Sequence, residues 1–133
     1  MDINRRTIAT LSLVGAVLVA AQGCGNSSGS PTGPSGGGGS GATVTITASG
    51  ISPSSVTVSA GQQVTFVNNS QLEMTVASDP HPTHTDCPAI NNVGTLQPGQ
   101  SRLTGTFTTT RTCGFHDHDH PDDASRRGSI MIK

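Results

Sequence analysis

Residues 113–121 read CGFHDHDHP and concentrate three of the five histidines of the chain into five positions. The other two histidines lie in a second stretch, DPHPTHTDCP, at residues 79–88. Imidazole is the commonest protein ligand for copper and zinc, so the two stretches together predict a metal site. The candidate ligands are His81, His84, His116 and His118, with His120 as an alternate, and Asp117 and Asp119 alternate with the last three of these histidines.

Each stretch also has an interpretation without metal. Residues 79–88 are compatible with a proline-rich surface loop whose histidines are solvated, and the DHDHD run with a hydrophilic strand end. If residues 112–117 form a strand, His116 and His118 share one face, while Asp117 shares the other face with Phe115. Asp117 and Asp119 are then either partners that orient the imidazoles or solvated carboxylates.

The first 23 residues predict an export signal. A basic segment, MDINRR, precedes an apolar segment at residues 7–21 that is too short for a convincing membrane span. The following AQGC resembles the lipobox of bacterial lipoproteins, which implies lipidation of Cys24; the alternative is an ordinary secretory signal with an incidental cysteine. Gly25 follows that cysteine in place of the aspartate that favours inner-membrane retention in such lipoproteins, so the resemblance implies the outer membrane if the cell has one. The expected location is the cell envelope, facing the periplasm or exterior.

The remaining chain divides into a tether and one domain. Residues 24–42 are rich in Gly and Ser and predict a flexible tether, which leaves residues 43–133 as a single domain. Removal of Arg5, Arg6 and Asp2 with the signal leaves five basic and seven acidic side chains, and no basic patch indicates nucleic-acid binding. The two cysteines beyond Cys24, Cys87 and Cys113, predict a disulfide in an oxidising compartment.

The domain has the pattern of an all-β protein. Short runs rich in β-branched residues, bounded by Gly, Pro, Ser or Asn, predict about seven strands and a β-sandwich. Inward-facing positions are expected to include Leu103, Phe107, Ile130 and Ile132. The predicted strands are residues 43–49, 55–59, 63–68, 72–77, 101–108, 112–117 and 128–133, with turns at 50–53, 60–61 and 97–100 and a loop at 78–92.

The order of these features resembles the cupredoxin family of plastocyanin and azurin. The shared features are a strand ending VTFVN, the turn LQPGQS, an aromatic residue two positions before a ligand, a His-Pro step and a closing G-x-I-x-I strand. The resemblance covers nearly all of residues 43–133 and implies a Greek-key β-sandwich.

The resemblance also implies where a blue-copper site would lie. Cupredoxins hold copper with a histidine after the VN segment, a Cys-x-x-His pair and a methionine before the last strand. Here the first position falls on Met74, and the methionine position on residues 125–127. The pair matches either Cys113 with His116 or Asp117 with His120; we prefer the second because Phe115 then points into the core. Neither placement supplies a full blue-copper ligand set.

A second resemblance is to a group of cupredoxin-like envelope proteins with the patterns HWPASNPHPTH and YHDHxNP. The corresponding residues here read MTVASDPHPTH at 74–84 and FHDHDHP at 115–121. The departures are Met74 for the first histidine and His120 for the asparagine.

These observations predict an envelope-anchored copper-binding protein that acts in metal storage, delivery or electron transfer. Zinc also suits neutral nitrogen donors near carboxylates. One alternative is a structural or interaction module that has lost metal chemistry, and another is a small metalloenzyme. No nucleophile–base pair or catalytic carboxylate pair supports catalysis. A disulfide would remove the thiolate of Cys113 and give a pale copper protein, whereas a free Cys113 acting with His116 would give a deep blue one.

Overall fold

The structure, a computed structural model, describes residues 40–133. This part of the chain forms nine strands and two short 3-10 helices. The strands are β1 Ser40–Thr47, β2 Gly50–Ser52, β3 Ser55–Val58, β4 Gln63–Asn68, β5 Met74–Ser78, β6 Gly94–Leu96, β7 Ser101–Leu103, β8 Arg111–Asp117 and β9 Arg127–Ile132; the helices are Ile90–Asn92 and Ala124–Arg126. The predicted signal peptide and nearly all of the predicted tether lie outside the described residues, although β1 begins at Ser40, within the stretch assigned to the tether.

The strands form two sheets that pack as a sandwich. The first has the order β2-β1-β4-β7 and the second the order β3-β9-β8-β5-β6. Both sheets are mixed, because β1 pairs with β4 and β3 pairs with β9 in parallel, while the other pairs are antiparallel. The predicted all-β sandwich is therefore confirmed. Among the described residues, no helix is long and apolar enough to span a membrane.

The core follows the two-residue alternation of the sequence. Val64 and Phe66 of β4 are fully buried, and Phe115 of β8 packs edge-on against Phe66 with ring centroids 5.1 Å apart. Met74 is also buried, as its spacing with Val76 predicts. The preferred alignment of residues 115–121 requires Phe115 to point into the core, and Phe115 is buried there.

Two strand predictions were wrong. The segment at residues 50–53 was expected to be a turn, but Gly50–Ser52 pairs antiparallel with β1 because the chain already reverses at residues 48–49. The strand predicted at residues 101–108 ends at Leu103, which is 41% exposed rather than buried. Leu103 lies opposite Thr65 in the register, and Thr65 is on the face of β4 away from Val64 and Phe66. Phe107 is in the core as predicted.

Candidate metal centre

The loop that follows β5 crosses the outer face of β8. The backbone N–H of Asp79 donates to the carbonyl of Gly114 (3.0 Å), so the loop starts against the middle of that strand. It closes on itself where the N–H of His84 donates to Pro80 (2.7 Å) and the N–H of Asp86 donates to Asp79 (3.0 Å). The loop therefore presents its two histidines over the same strand that carries His116.

A disulfide fixes the far end of this loop. Cys87 and Cys113 are bonded, with Cα atoms 5.9 Å apart, and both residues are buried. This confirms the predicted pair. Cys113 shares the inward face of β8 with Phe115, and it has no free thiol for the deep blue alternative.

The backbone at His84 is held in an unusual conformation. Its φ is +50°, in the left-handed region that is uncommon for residues other than glycine, although histidine adopts it more often than most. The carbonyl of His84 accepts hydrogen bonds from Oγ of Ser78 (2.9 Å) and Nδ2 of Asn91 (2.8 Å). Oδ1 of Asn91 in turn accepts from the N–H of Ser78 (2.9 Å). Asn91 thus ties His84 to the end of β5.

The structure brings four of the five histidines together. Ring centroids lie 4.9–5.6 Å apart in five pairs, which join the two loop histidines to each other and to those of β8 and the turn after it. One nitrogen from each of three of these rings lies within 4.8 Å of the other two, so these three side chains could hold a metal ion. The four clustered histidines are His81, His84, His116 and His118. The three whose nitrogens lie within 4.8 Å of one another are His81, His84 and His116.

His116 is the buried member of this histidine cluster. It is 1% exposed, and its Nδ1–H donates to Oδ1 of Asp79 at 2.6 Å. Its Nε2 is the only buried side-chain nitrogen or oxygen without a hydrogen-bond partner within residues 40–133. A buried polar atom without a partner lowers the stability of the fold, and a bound metal ion would supply the missing partner of this nitrogen.

His84 and His118 complete the cluster on its solvent side. Nδ1 of His118 lies 3.3 Å from Nε2 of His84. Partial burial is the largest cause that lowers the pKa of His84; the imidazoles of His118, His116 and His81 lower it further, and Asp79 opposes them. His84 is therefore neutral, the form that binds metal, over a wider pH range than an isolated histidine.

His120 and the two predicted orienting aspartates lie elsewhere. Asp117 points into the sandwich, is 1% exposed, and accepts from Nη1 of Arg126 (2.7 Å) and Nδ1 of His120 (3.1 Å). Asp119 is exposed in the turn after β8, and its N–H donates to Asp117. The carboxylate that contacts a clustered imidazole is that of Asp79.

The positions that correspond to a blue-copper site thus hold a different arrangement. In the preferred alignment they fall on Met74, Asp117, His120 and the segment containing Arg126. Met74 is in the core, and an Asp117–Arg126 ion pair joins two of the other positions. The histidine cluster is formed instead by the loop after β5, the outer face of β8 and the turn after β8.

Sequence reasoning missed three residues of this centre: Asp79, Asn91 and Gly114. Asp79 lies two residues before the HPTH motif, which was a usable signal, but its partner is 37 residues away. A Cβ atom at Gly114 would overlap the carboxylate of Asp79, so this glycine makes room for it.

Comparison with solved structures gives the class of the fold. A purple cupredoxin from Nitrosopumilus maritimus matches with a TM-score of 0.56 and 18% identity, over 69% of this chain and 99% of that chain. The oxidised plastocyanin of Dryopteris crassirhizoma matches with a TM-score of 0.53 and 22% identity, over 68% and 99%. A Cu(I) amicyanin mutant matches with a TM-score of 0.54 and 21% identity, over 70% and 83%.

The domain is therefore a β-sandwich of the cupredoxin fold, as the sequence predicts. No protein-family model and no curated relative matches the sequence.

Proposed function

We propose that this domain is a copper-binding protein whose ligands are the imidazoles of His81, His84, His116 and His118. The observation that carries the proposal is the buried, unpartnered Nε2 of His116, in a ring whose centroid lies 5.2 Å from that of His84 and 5.6 Å from that of His81. His81 and His84 each offer a nitrogen within 4.8 Å of one from His116, and His118 contacts His84, so the four imidazoles supply a donor set that copper or zinc takes in proteins.

Copper is favoured by the donor chemistry. For a given set of nitrogen donors, affinity among divalent first-row metals peaks at Cu²⁺. The amicyanin mutant named above is a Cu(I) protein. The disulfide leaves Cys113 without a thiolate, and Met74 is in the core, so the centre has imidazole ligands without sulfur. Zinc is the second candidate metal because it also accepts tetrahedral nitrogen coordination.

Metal storage or delivery suits this centre better than electron transfer. His81 and His118 are exposed, and a surface cleft of about 390 Å³ is lined by both His81 and His116. Ligands that solvent can reach allow a metal ion to enter and leave without opening the fold.

The proposed setting is the bacterial cell envelope, with the domain tethered to the outer membrane through a lipid on Cys24. The support is the sequence alone: a basic segment, an apolar segment and Gly23-Cys24, followed by a Gly/Ser-rich tether.

A structural module without metal chemistry is the second candidate function. The observation in its favour is the Asp117–Arg126 ion pair, which joins two positions that correspond to blue-copper ligands. The two functions differ in whether the histidine cluster binds metal.

Metal analysis of the mature protein separates them. The protein is purified, stripped with a chelator and titrated with Cu²⁺ and with Zn²⁺ in separate cells of a calorimeter. We expect one equivalent of tightly bound copper, nitrogen hyperfine structure in the electron paramagnetic resonance spectrum, and release of the metal to a competing chelator. The absence of stoichiometric copper binding would leave the structural module as the better explanation.

A further inference from the structure

Among residues 40–133, Asp79 is the one carboxylate that forms a hydrogen bond with a ring of the histidine cluster. Its Oδ1 lies 2.6 Å from Nδ1 of His116. An ionised carboxylate can only accept, so Nδ1 carries the hydrogen and Nε2 carries the lone pair. The second nitrogen is the buried atom that lacks a partner.

The backbone and the neighbouring strand hold Asp79 in place. Its N–H donates to Gly114, and its carbonyl accepts from the N–H of Asp86, each at 3.0 Å. The missing side chain of Gly114 leaves the space that the carboxylate occupies.

The same carboxylate has a weaker second contact. Nη2 of Arg127 lies 3.7 Å from Oδ2 of Asp79, and the two side chains are 48% and 31% exposed. An exposed ion pair of that length contributes little to stability. The short hydrogen bond to a buried imidazole is the contact that accounts for the placement of Asp79.

We infer that Asp79 is the positioning residue of the proposed copper centre: it fixes the tautomer and orientation of His116 so that Nε2 is the ligand atom. This inference rests on the proposed function. Carboxylate partners of ligating histidines raise the basicity of the ligand nitrogen, and their loss typically weakens metal binding 10–100-fold. Asp117 and Asp119, the carboxylates suggested by the sequence, do not take this role because Asp117 is engaged on the inner face of β8 by Arg126.

Three variants of the full mature protein test the inference. Asp79→Ala removes the acceptor, Asp79→Asn keeps an acceptor oxygen without the charge, and Gly114→Ala displaces the carboxylate without removing any polar group. Asp86→Ala is the matched control, because it removes a carboxylate of the same loop that pairs with the exposed Arg111 instead of a histidine.

The first measurement needs no metal. Long-range ¹H–¹⁵N correlation spectra of the metal-free protein should show His116 with its hydrogen on Nδ1 in the wild type, in Asp79→Asn and in the control. Asp79→Ala and Gly114→Ala should lose that single tautomer. A wild-type His116 with its hydrogen on Nε2 would overturn the inference.

The second measurement is copper affinity by competition with a chelator of known strength. Asp79→Ala and Gly114→Ala should bind Cu²⁺ about 10–100-fold more weakly, with a smaller loss in Asp79→Asn and a change of less than about threefold in the control. Unchanged affinity in a folded Asp79→Ala protein would reject Asp79 as the positioning residue. If Asp79→Ala does not fold, Gly114→Ala decides by the same two measurements.

The two possible failures are distinguishable. If the wild type binds no copper but shows the expected tautomer shifts, the proposed function fails while the control of His116 by Asp79 stands. If copper binds tightly and the tautomer is unaffected by Asp79→Ala, the proposed function stands and the inference fails.

Discussion

Nδ1 of His118 lies 3.3 Å from Nε2 of His84, although 34 residues separate the two histidines in the chain. Two metal–nitrogen bonds of about 2.0 Å at a tetrahedral angle place their nitrogens about 3.3 Å apart. The same separation therefore fits either a hydrogen bond between the rings or two ligands of one ion. The loop after β5 and the turn after β8 meet at this point.

Replacement of both residues should abolish tight copper binding. We expect His84→Ala combined with His118→Ala to lower the Cu²⁺ affinity by orders of magnitude, because two of four imidazole ligands are lost. The measurement is chelator competition on the mature protein. His120→Ala is the matched control, since this ring contacts Asp117 instead of the cluster, and its affinity should stay close to that of the wild type. Retained affinity in the double variant would reject the site.

Asn91→Ala should weaken copper binding through the backbone of His84. Asn91 donates to the carbonyl of His84 and accepts from Ser78, so its loss releases a residue held at positive φ. We expect roughly tenfold weaker binding, at the lower end of the range for partners of metal ligands, and about 1 kcal/mol lower stability. Calorimetry and thermal unfolding measure the two effects. Asn92→Ala, at the neighbouring exposed asparagine, should change neither; equal effects in both variants would contradict the role of Asn91.

Removal of the disulfide should destabilise the fold. The bond spans 26 residues, for which the chain-entropy model gives about 3–4 kcal/mol. Cys87→Ser combined with Cys113→Ser should therefore unfold at lower denaturant concentration.

Mass spectrometry of the wild type under non-reducing conditions should show the bonded pair, and the copper-loaded protein should lack an intense thiolate-to-copper band. A free thiol on Cys113 with a strong visible band would move the centre to Cys113 and His116.

Arg126→Ala should cost stability without affecting copper. The substitution leaves the buried carboxylate of Asp117 with His120 as its remaining ionisable partner. We expect a loss of about 3 kcal/mol, the lower end of the range for breaking a buried pair, because Arg126 is 23% exposed. Arg111→Ala breaks the exposed pair with Asp86 and should cost less than about 1 kcal/mol. Weakened copper binding in Arg126→Ala would show that the ion pair and the centre are coupled.

Cys24→Ser should release the protein from the membrane fraction. The proposed lipid anchor requires the cysteine thiol, and the remaining residues of the signal are unchanged by the substitution. Fractionation of cells that express the full chain, with metabolic lipid labelling, measures the effect. Unchanged partitioning of the variant would contradict lipidation at Cys24.

The strand pattern was largely readable from local sequence. Alternation places Phe66 and Phe115 inward wherever the strands run, because the side-chain period of two is a property of the backbone. Leu103 shows the limit of this rule, since its face depends on pairing with Thr65 in another strand.

For the candidate centre, the residue types were set by sequence and their grouping by the tertiary structure. The chain places all five histidines in two short stretches, so a histidine-rich candidate centre could be predicted without coordinates. Only the folded loop separates the four clustered rings from His120 and selects Asp79 over Asp117 as the partner of His116. The reason is physical: local periodicity decides which face of a strand a side chain occupies, whereas a contact between residues 37 positions apart depends on the path of the loop that closes over that face.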